Sequence, residues 1–138
     1  MKIIAVDIGS KRIGIATSDP LGITAGGLKV LEETNLQKLA EEIIRLSKGE
    51  AAEEIVVGLP LNMNGSYGPQ AKRAAEFAEL LRKGINIPVK LWDERLTTIQ
   101  AERAMIKADV SRKKRRKKID KVAAQLILQS YLNSIRNM

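Results

Sequence analysis

The 138-residue sequence contains no cysteine and no histidine. The first absence excludes a disulfide framework, a thiolate nucleophile and any Cys-ligated zinc or iron–sulfur site. The second removes the usual general base near neutral pH and the commonest metal-ligating side chain. Aromatic residues are 3% of the chain, too few for the successive stacking platforms of many single-strand binders, so base stacking is not expected as the main mode of nucleic-acid contact. No apolar run reaches the roughly 18 residues of a membrane-spanning helix. The N-terminus has no cationic stretch leading into an apolar region and a small-residue cleavage site. A soluble, cytoplasmic protein without a membrane partner is expected. Hydrolytic chemistry has to rest on carboxylates with hard, oxygen-bound ions such as Mg²⁺ or Mn²⁺, or on Ser, Lys or Tyr.

Positive charge, by contrast, is abundant. The formal net charge is +8 and the pI about 9.9, a balance suited to a polyanionic partner. Its distribution is uneven. In SRKKRRKK, residues 111–118, the seven cations Arg112, Lys113, Lys114, Arg115, Arg116, Lys117 and Lys118 stand together. So dense a block repels itself and reads as a basic flexible loop at about 109–118 that exists to meet an anion, although a merely solvated loop looks the same.

The length suits a single domain, residues 1–138. Residues 2–8 read as a strand apolar on both faces. After the tight link Gly9-Ser10-Lys11, residues 12–18 read as a second strand, and Gly27 to Leu31 as a third pairing with it. Leu36, Leu39, Ala40, Ile43, Ile44 and Leu46 recur at helix spacing, with Thr34 or Asn35 as cap and Gly49 as stop. A short buried strand, Glu54 to Gly58, leads into a Gly/Pro/Asn-rich loop up to Gly68, a helix over about 69–83 and a strand over 89–92. Thr97 with Gln100 fits a capping box for a helix to about Ala108, and Ile119, Val122, Ala123, Leu126, Ile127, Tyr131 and Leu132 mark a last helix. The order βββαβαβαα implies an α/β mixed sheet, three antiparallel strands followed by parallel ones, with helices on both faces.

In open α/β sheets the working site lies at the carboxyl ends of parallel strands. Asp7 ends the first strand and Asp93-Glu94 the last, so parallel strands bring these acids to one edge. Asp120, in the first turn of the last helix ahead of the small Ala123 and Ala124, can join them. Two unit charges about 4 Å apart repel by about 4 kcal/mol at an effective dielectric of about 20, which argues for cations among the acids. Two divalent ions roughly 3.5–4 Å apart serve an in-line phosphodiester displacement without any His. Each acid also has an ordinary reading: Asp7 as a turn former, Asp93-Glu94 as a surface pair, Asp120 as an acid favoured by a helix N-terminus. Period-2 alternation leaves open whether Asp93 or Glu94 meets Asp7. Asp7-x-Gly9 with Gly14 also resembles the first phosphate loop of the actin and sugar-kinase fold, but that architecture closes two such domains around its nucleotide and needs a longer chain.

Four separated blocks narrow these options. Asp7 to Asp19 (DIGSKRIGIATSD), Val57 to Ser66 (VGLPLNMNGS), Asp93 to Thr98 (DERLTT) with Ala101, and Asp120 to Ala124 (DKVAA) with Ile127 to Leu132 (ILQSYL) run in order over nearly the whole chain. Together they resemble the YqgF/RuvX family. The resemblance implies a ribonuclease H-like fold near the RuvC resolvases and a metal-dependent carboxylate nuclease. That family was first proposed to resolve Holliday junctions and then to trim the 5′ end of pre-16S ribosomal RNA. Carried over residue by residue, the resemblance implies Asp7, Glu94 and Asp120 as catalytic acids holding Mg²⁺ or Mn²⁺, with Asp93 as runner-up and Asp19 as a structural turn residue. Asn64 departs from the pattern, which has Asp before the Gly; an Asn-Gly pair keeps the turn and removes a charge. Lys11, Arg12 and Arg95 are then expected to hold phosphate oxygens. The loop with Asn62, Gly65 and Ser66 is expected to open the next helix toward phosphate, and the run Arg112 to Lys118 to bring in a strand without reading its sequence. The expected partners are nucleic acid, RNA ahead of structured DNA, and a ribosome precursor; the expected assembly is a monomer or weak dimer. Two rival readings stay open, a four-way DNA junction resolvase with paired active sites and a non-catalytic RNA- or ribosome-binding protein.

Overall fold

The computed structural model describes residues 1–9, 11–95 and 112–136, the last stretch with its side chains from 123 to 135. Its elements are β1 (Ile3–Ile8), β2 (Ile13–Ser18), β3 (Ala25–Leu31), α1 (Leu36–Gly49), β4 (Glu54–Leu59), α2 (Pro69–Gly84), β5 (Val89–Asp93) and α3 (Arg112–Arg136). The helix expected to end near Ala108, with its capping box of Thr97 and Gln100, lies outside the described residues. No helix among them is long and apolar enough to cross a membrane.

One sheet holds the five strands in the order β3-β2-β1-β4-β5. β1 runs antiparallel to β2 and β2 to β3, while β1, β4 and β5 are mutually parallel. The central pair β1 and β4 is buried on both faces, which is why IIAVDI and EIVVGL read as nearly unbroken apolar runs. Gly9 closes the first hairpin: its N–H donates to the Arg12 carbonyl at 2.9 Å, and a Cβ there would stand 2.7 Å from that oxygen. Asp19 organises the next turn as expected. Its Oδ1 accepts from the N–H groups of Ile23 at 2.7 Å and Thr24 at 3.3 Å, and the Ile23 bond above all holds its carboxyl below the usual range.

Helices cover both faces of this sheet. α1 starts at its expected cap, Asn35, whose Oδ1 accepts from the Lys38 N–H at 3.0 Å. Leu39 and Ile43 of α1 and Phe77 and Leu81 of α2 pack on Ile4, Val6 and Ile8. On the other face Ala124, Ile127, Leu128 and Leu132 of α3 pack on Ile3, Ala5 and Val56.

The structure corrects one expectation. α3 begins at Arg112, so the cations Arg112 to Lys118 lie on helical backbone and not in a loop; residues 109–111 lie outside the described residues. Lys and Arg are good helix formers, no Gly or Pro interrupts the block, and like-charge repulsion along a helix costs only about 0.2–0.5 kcal/mol per pair. Continuity with the packed turns that follow outweighs it.

Both edge strands are blunted by side chains. At β5 the Val89 carbonyl accepts from Arg82 Nε at 3.1 Å and Nη2 at 2.6 Å. At β3 the Ala25 N–H donates to Gln129 Oε1 at 3.1 Å, and the Ala25 carbonyl accepts from Gln125 Nε2 at 3.3 Å. These groups occupy backbone positions that would otherwise invite a further strand.

Candidate active site

Asp7 shares the α3 face of β1 with Ile3 and Ala5, since alternate residues of a strand point the same way. On β5, Val89 and Leu91 belong to the α1/α2 core and Trp92 to the α3 core. The same parity sends Asp93 to the first face and Glu94 to the second. β1, β4 and β5 are parallel, so Asp7 and Glu94 arrive together at one edge of the sheet.

Between their strands, β4 carries Gly58. A Cβ there would stand 2.2 Å from Glu94 Oε2 and 2.7 Å from Ile127 Cδ1. The missing side chain is therefore the cradle in which the Glu94 carboxylate lies. Glu94 is only 5% exposed, and its N–H donates to the Leu59 carbonyl at 3.2 Å. Its carboxyl is hydrogen-bonded to Asp7. Burial first, then the charge of Asp7 and that bond, then the charge of Asp93, push Glu94 up to about 9.

Two hydrogen-bonded carboxyl groups, Glu94 buried and Asp7 half-buried, need either a shared proton or a cation between them. Only oxygen donors are available, which suits a hard divalent ion such as Mg²⁺ or Mn²⁺ over a softer metal. Among the described residues no group of three or more acids is assembled. Asp120 lies on α3, four residues ahead of Ala124 and seven ahead of Ile127, whose Cδ1 borders the Gly58 cradle.

Asp93 is engaged elsewhere. Arg95 Nη2 and Nε lie 2.8 and 2.9 Å from its Oδ2, and this bonding holds the Asp93 carboxyl below the usual range. Arg95 Nη1 also donates to the Met63 carbonyl at 3.3 Å, tying the loop after β4 to the end of β5. Within that loop the Asn62 N–H donates to the Ser66 carbonyl at 2.9 Å and the Gly65 N–H to the Asn62 carbonyl at 2.8 Å. Asn64 Oδ1 accepts from the Ser66 N–H at 3.0 Å and hydroxyl at 2.6 Å. The neutral amide thus holds the turn, and Gly65 takes φ +85°. The loop delivers the chain to α2, whose N-cap Gly68 gives no side-chain cap.

The first hairpin supplies its cations separately. Lys11 is exposed, and half-buried Arg12 places Nε 3.9 Å from Glu32 Oε1. Two features of the site were not anticipated from sequence, the Gly58 cradle and the polar anchoring of α3. A glycine inside an otherwise buried apolar strand was the available signal for the first.

The fold is shared with solved resolvases of the ribonuclease H-like fold. Thermus thermophilus RuvC in complex with a Holliday junction substrate superimposes with a TM-score of 0.62 at 13% identity, covering 99% of this chain and 96% of that one. The Fowlpox virus resolvase in complex with Holliday junction DNA gives 0.56 at 16% identity, covering 98% and 99%. The family described as RuvX, Holliday junction resolvase, matches residues 1–134, and the chain belongs to that family. Two full-length relatives carry the name "Putative pre-16S rRNA nuclease". The one from Clostridium acetobutylicum is 50% identical over 135 residues, 98% of this chain and 100% of its own. The one from Halothermothrix orenii is 51% identical over 137 residues, 96% and 95%.

Proposed function

We propose that this chain is a metal-dependent nuclease that hydrolyses phosphodiester bonds in the 5′ region of precursor 16S ribosomal RNA, working in the cytoplasm as a monomer or weak dimer. The observation that carries the reading is the Asp7–Glu94 pair at the carboxyl ends of the parallel strands, with the Glu94 carboxylate packed in the cradle left by Gly58. The substrate class comes from the names of the relatives, which this chain matches over nearly its whole length.

In this mechanism Asp7 and Glu94 would hold one or two Mg²⁺ or Mn²⁺ ions, and Asp120 would complete the oxygen set from α3. When bound, such ions supply the Lewis acidity that an in-line phosphodiester displacement needs in a protein without His. Glu94 rather than Asp93 is the second acid, because strand parity and the cradle favour it and Asp93 is committed to Arg95. Asp93 keeps the guanidinium of Arg95 fixed between the end of β5 and the loop after β4, where its remaining N–H groups can take a phosphate oxygen of the flanking strand. Lys11 and Arg12 extend the cationic rim from the first hairpin. The uncapped start of α2, reached through Asn62, Gly65 and Ser66, offers backbone N–H groups to a flanking phosphate. Arg112 to Lys118 attract the strand by charge alone.

Cleavage of three labelled substrates tests this: a precursor-rRNA 5′ fragment, generic single-stranded RNA and a four-way DNA junction, each with Mg²⁺, Mn²⁺ or EDTA. The expected outcome is cation-dependent cutting of the rRNA fragment, reduced at least about 10³-fold in Asp7→Asn, a loss of about 4 kcal/mol of transition-state stabilisation. Preference for the junction by a stable dimer would establish the resolvase reading instead. Equal RNA binding by both proteins with no cutting would leave a binding or assembly role.

A further inference from the structure

The chain has four aromatic side chains, and three are used inside the fold. Phe77 is fully buried under α2. Trp92 and Tyr131 pack edge to face with ring centroids 5.3 Å apart, Trp92 Nε1 donating to Ser130 Oγ at 3.3 Å and the Tyr131 hydroxyl donating to Glu54. Tyr67 is different. It is 50% exposed, and Met63 in the same loop is 67% exposed.

Its place in the chain gives Tyr67 no internal task. It directly precedes the N-cap Gly68, the position from which an apolar side chain can staple onto the fourth residue of a helix. In α2 that residue is Lys72, so the staple has no apolar partner. Single exposed apolar residues are ordinary, but this pair sits on a loop fixed against the site. Arg95 holds the Met63 carbonyl, the Glu94 N–H holds the Leu59 carbonyl, and the bonds between Asn62 and Ser66 close the loop. Tyr67 follows Ser66 immediately, which places its backbone beside the closed end of the loop.

We propose that Tyr67, on the same loop as exposed Met63, stacks on an unpaired nucleobase of the strand whose phosphate lies at the Asp7–Glu94 pair. This rests on the nucleic-acid reading above and narrows it. A base within a duplex is covered on both faces by its neighbours, so the substrate must present an unstacked base next to the reacting phosphate. A single ring makes a single contact, which the low aromatic content allows even though it excludes a row of platforms.

The test uses short single-stranded RNAs carrying 2-aminopurine at successive positions, and the same sequences as blunt duplexes, bound in EDTA so that nothing is cut. The native protein is expected to quench the probe at one position. Tyr67→Ala should weaken single-strand binding about 5- to 150-fold, the range for one stacked base, and abolish the quenching. Tyr67→Phe should keep both, and Tyr67→Leu, which retains apolar bulk without a π face, should lose the quenching. Duplex binding should be the same in all four proteins. Unchanged quenching in Tyr67→Ala and Tyr67→Leu overturns the proposal, as does an equal loss of duplex binding or an absence of single-strand binding by the native protein. The two readings fail separately. Cation-dependent cutting with Tyr67-independent binding removes the stacking contact alone, and Tyr67-dependent quenching in a protein that cuts nothing removes the catalytic reading alone.

Discussion

On one side of β1, Ile4, Val6 and Ile8 meet Leu39, Ile43, Phe77 and Leu81 in an apolar cluster that continues across α1 and α2. On the other side, Ile3 and Ala5 meet Ala124, Ile127 and Leu128, and the next residue of that parity is Asp7. There the covering helix is held as much by polar contacts as by packing. Gln125 and Gln129 grip Ala25 on β3, while Tyr131 donates to buried Glu54 and accepts from Lys90 Nζ at 3.1 Å on β5, at the opposite edge of the sheet. A single strand thus serves two purposes on alternate residues. Its even positions supply non-directional burial, which tolerates small shifts. Its odd positions supply a carboxylate, whose chemistry does not tolerate them, and the helix on that side is pinned by directional bonds.

Phe77→Ala should have the largest effect and confine it to the first face. Truncating this fully buried ring is expected to destabilise the protein by about 3–5 kcal/mol in a denaturant titration, with cleavage by the folded fraction at low temperature unchanged. A proportional loss of cleavage would show that the faces are mechanically coupled. Gly58→Ala probes the second face. Its methyl collides with the Glu94 carboxylate and with Ile127, and a displacement of about 1 Å at a reacting centre costs on the order of 10²-fold in rate. Initial-rate assays should show that loss. Full activity would mean that the cradle does not position Glu94.

Tyr131→Phe should have the smallest effect, about 1–3 kcal/mol, because Glu54 keeps Lys90 Nζ at 3.3 Å but loses the hydroxyl. The same contact has an alkaline signature. Burial, then the bond to Glu54, raises Tyr131 above its ordinary 10.0, and the bond with Tyr131, then the charge of Glu54, raises Lys90 above 10.5. Both groups are held protonated by the fold. Their contribution is complete below about pH 10 and is lost as pH climbs through the raised folded values. Thermal midpoints between pH 8 and 11.5 should therefore fall less steeply in Tyr131→Phe than in the native protein. Parallel curves would remove Tyr131 from the anchor.

Much of this was legible in the sequence because periodicity reports burial directly. The five strands, α1 and α2 fell within two residues of their expected limits, whereas α3 starts seven residues ahead of the expected Ile119, and Asn35 and Asp19 did the local work their side chains suggest. The choice between Asp93 and Glu94 was not legible. It depends on which parity of β5 faces α3, and VKLWD has an apolar residue available on either side. The basic run was misjudged for a related reason, since charge density says nothing about whether the helix that follows continues backward through it. Glu54 was hidden inside an apolar strand, and its partner Tyr131 stands 77 residues away. Composition argues against stacking as the main mode, and only the engagement of the other three rings inside the fold singles out Tyr67.

The contacts that fasten α3 also set a schedule. Gln129 follows Ala25 by 104 residues, which at about 5–20 residues per second takes a ribosome about 5–20 s to synthesise. Through that interval β1 can pair with β2, and α1 can cover its even side, while Ile3, Ala5 and Asp7 await the segment that will close over them. A growing chain can thus acquire most of its architecture while the Asp7 face of β1 is still bare. The cover of that face arrives late in the chain's own translation.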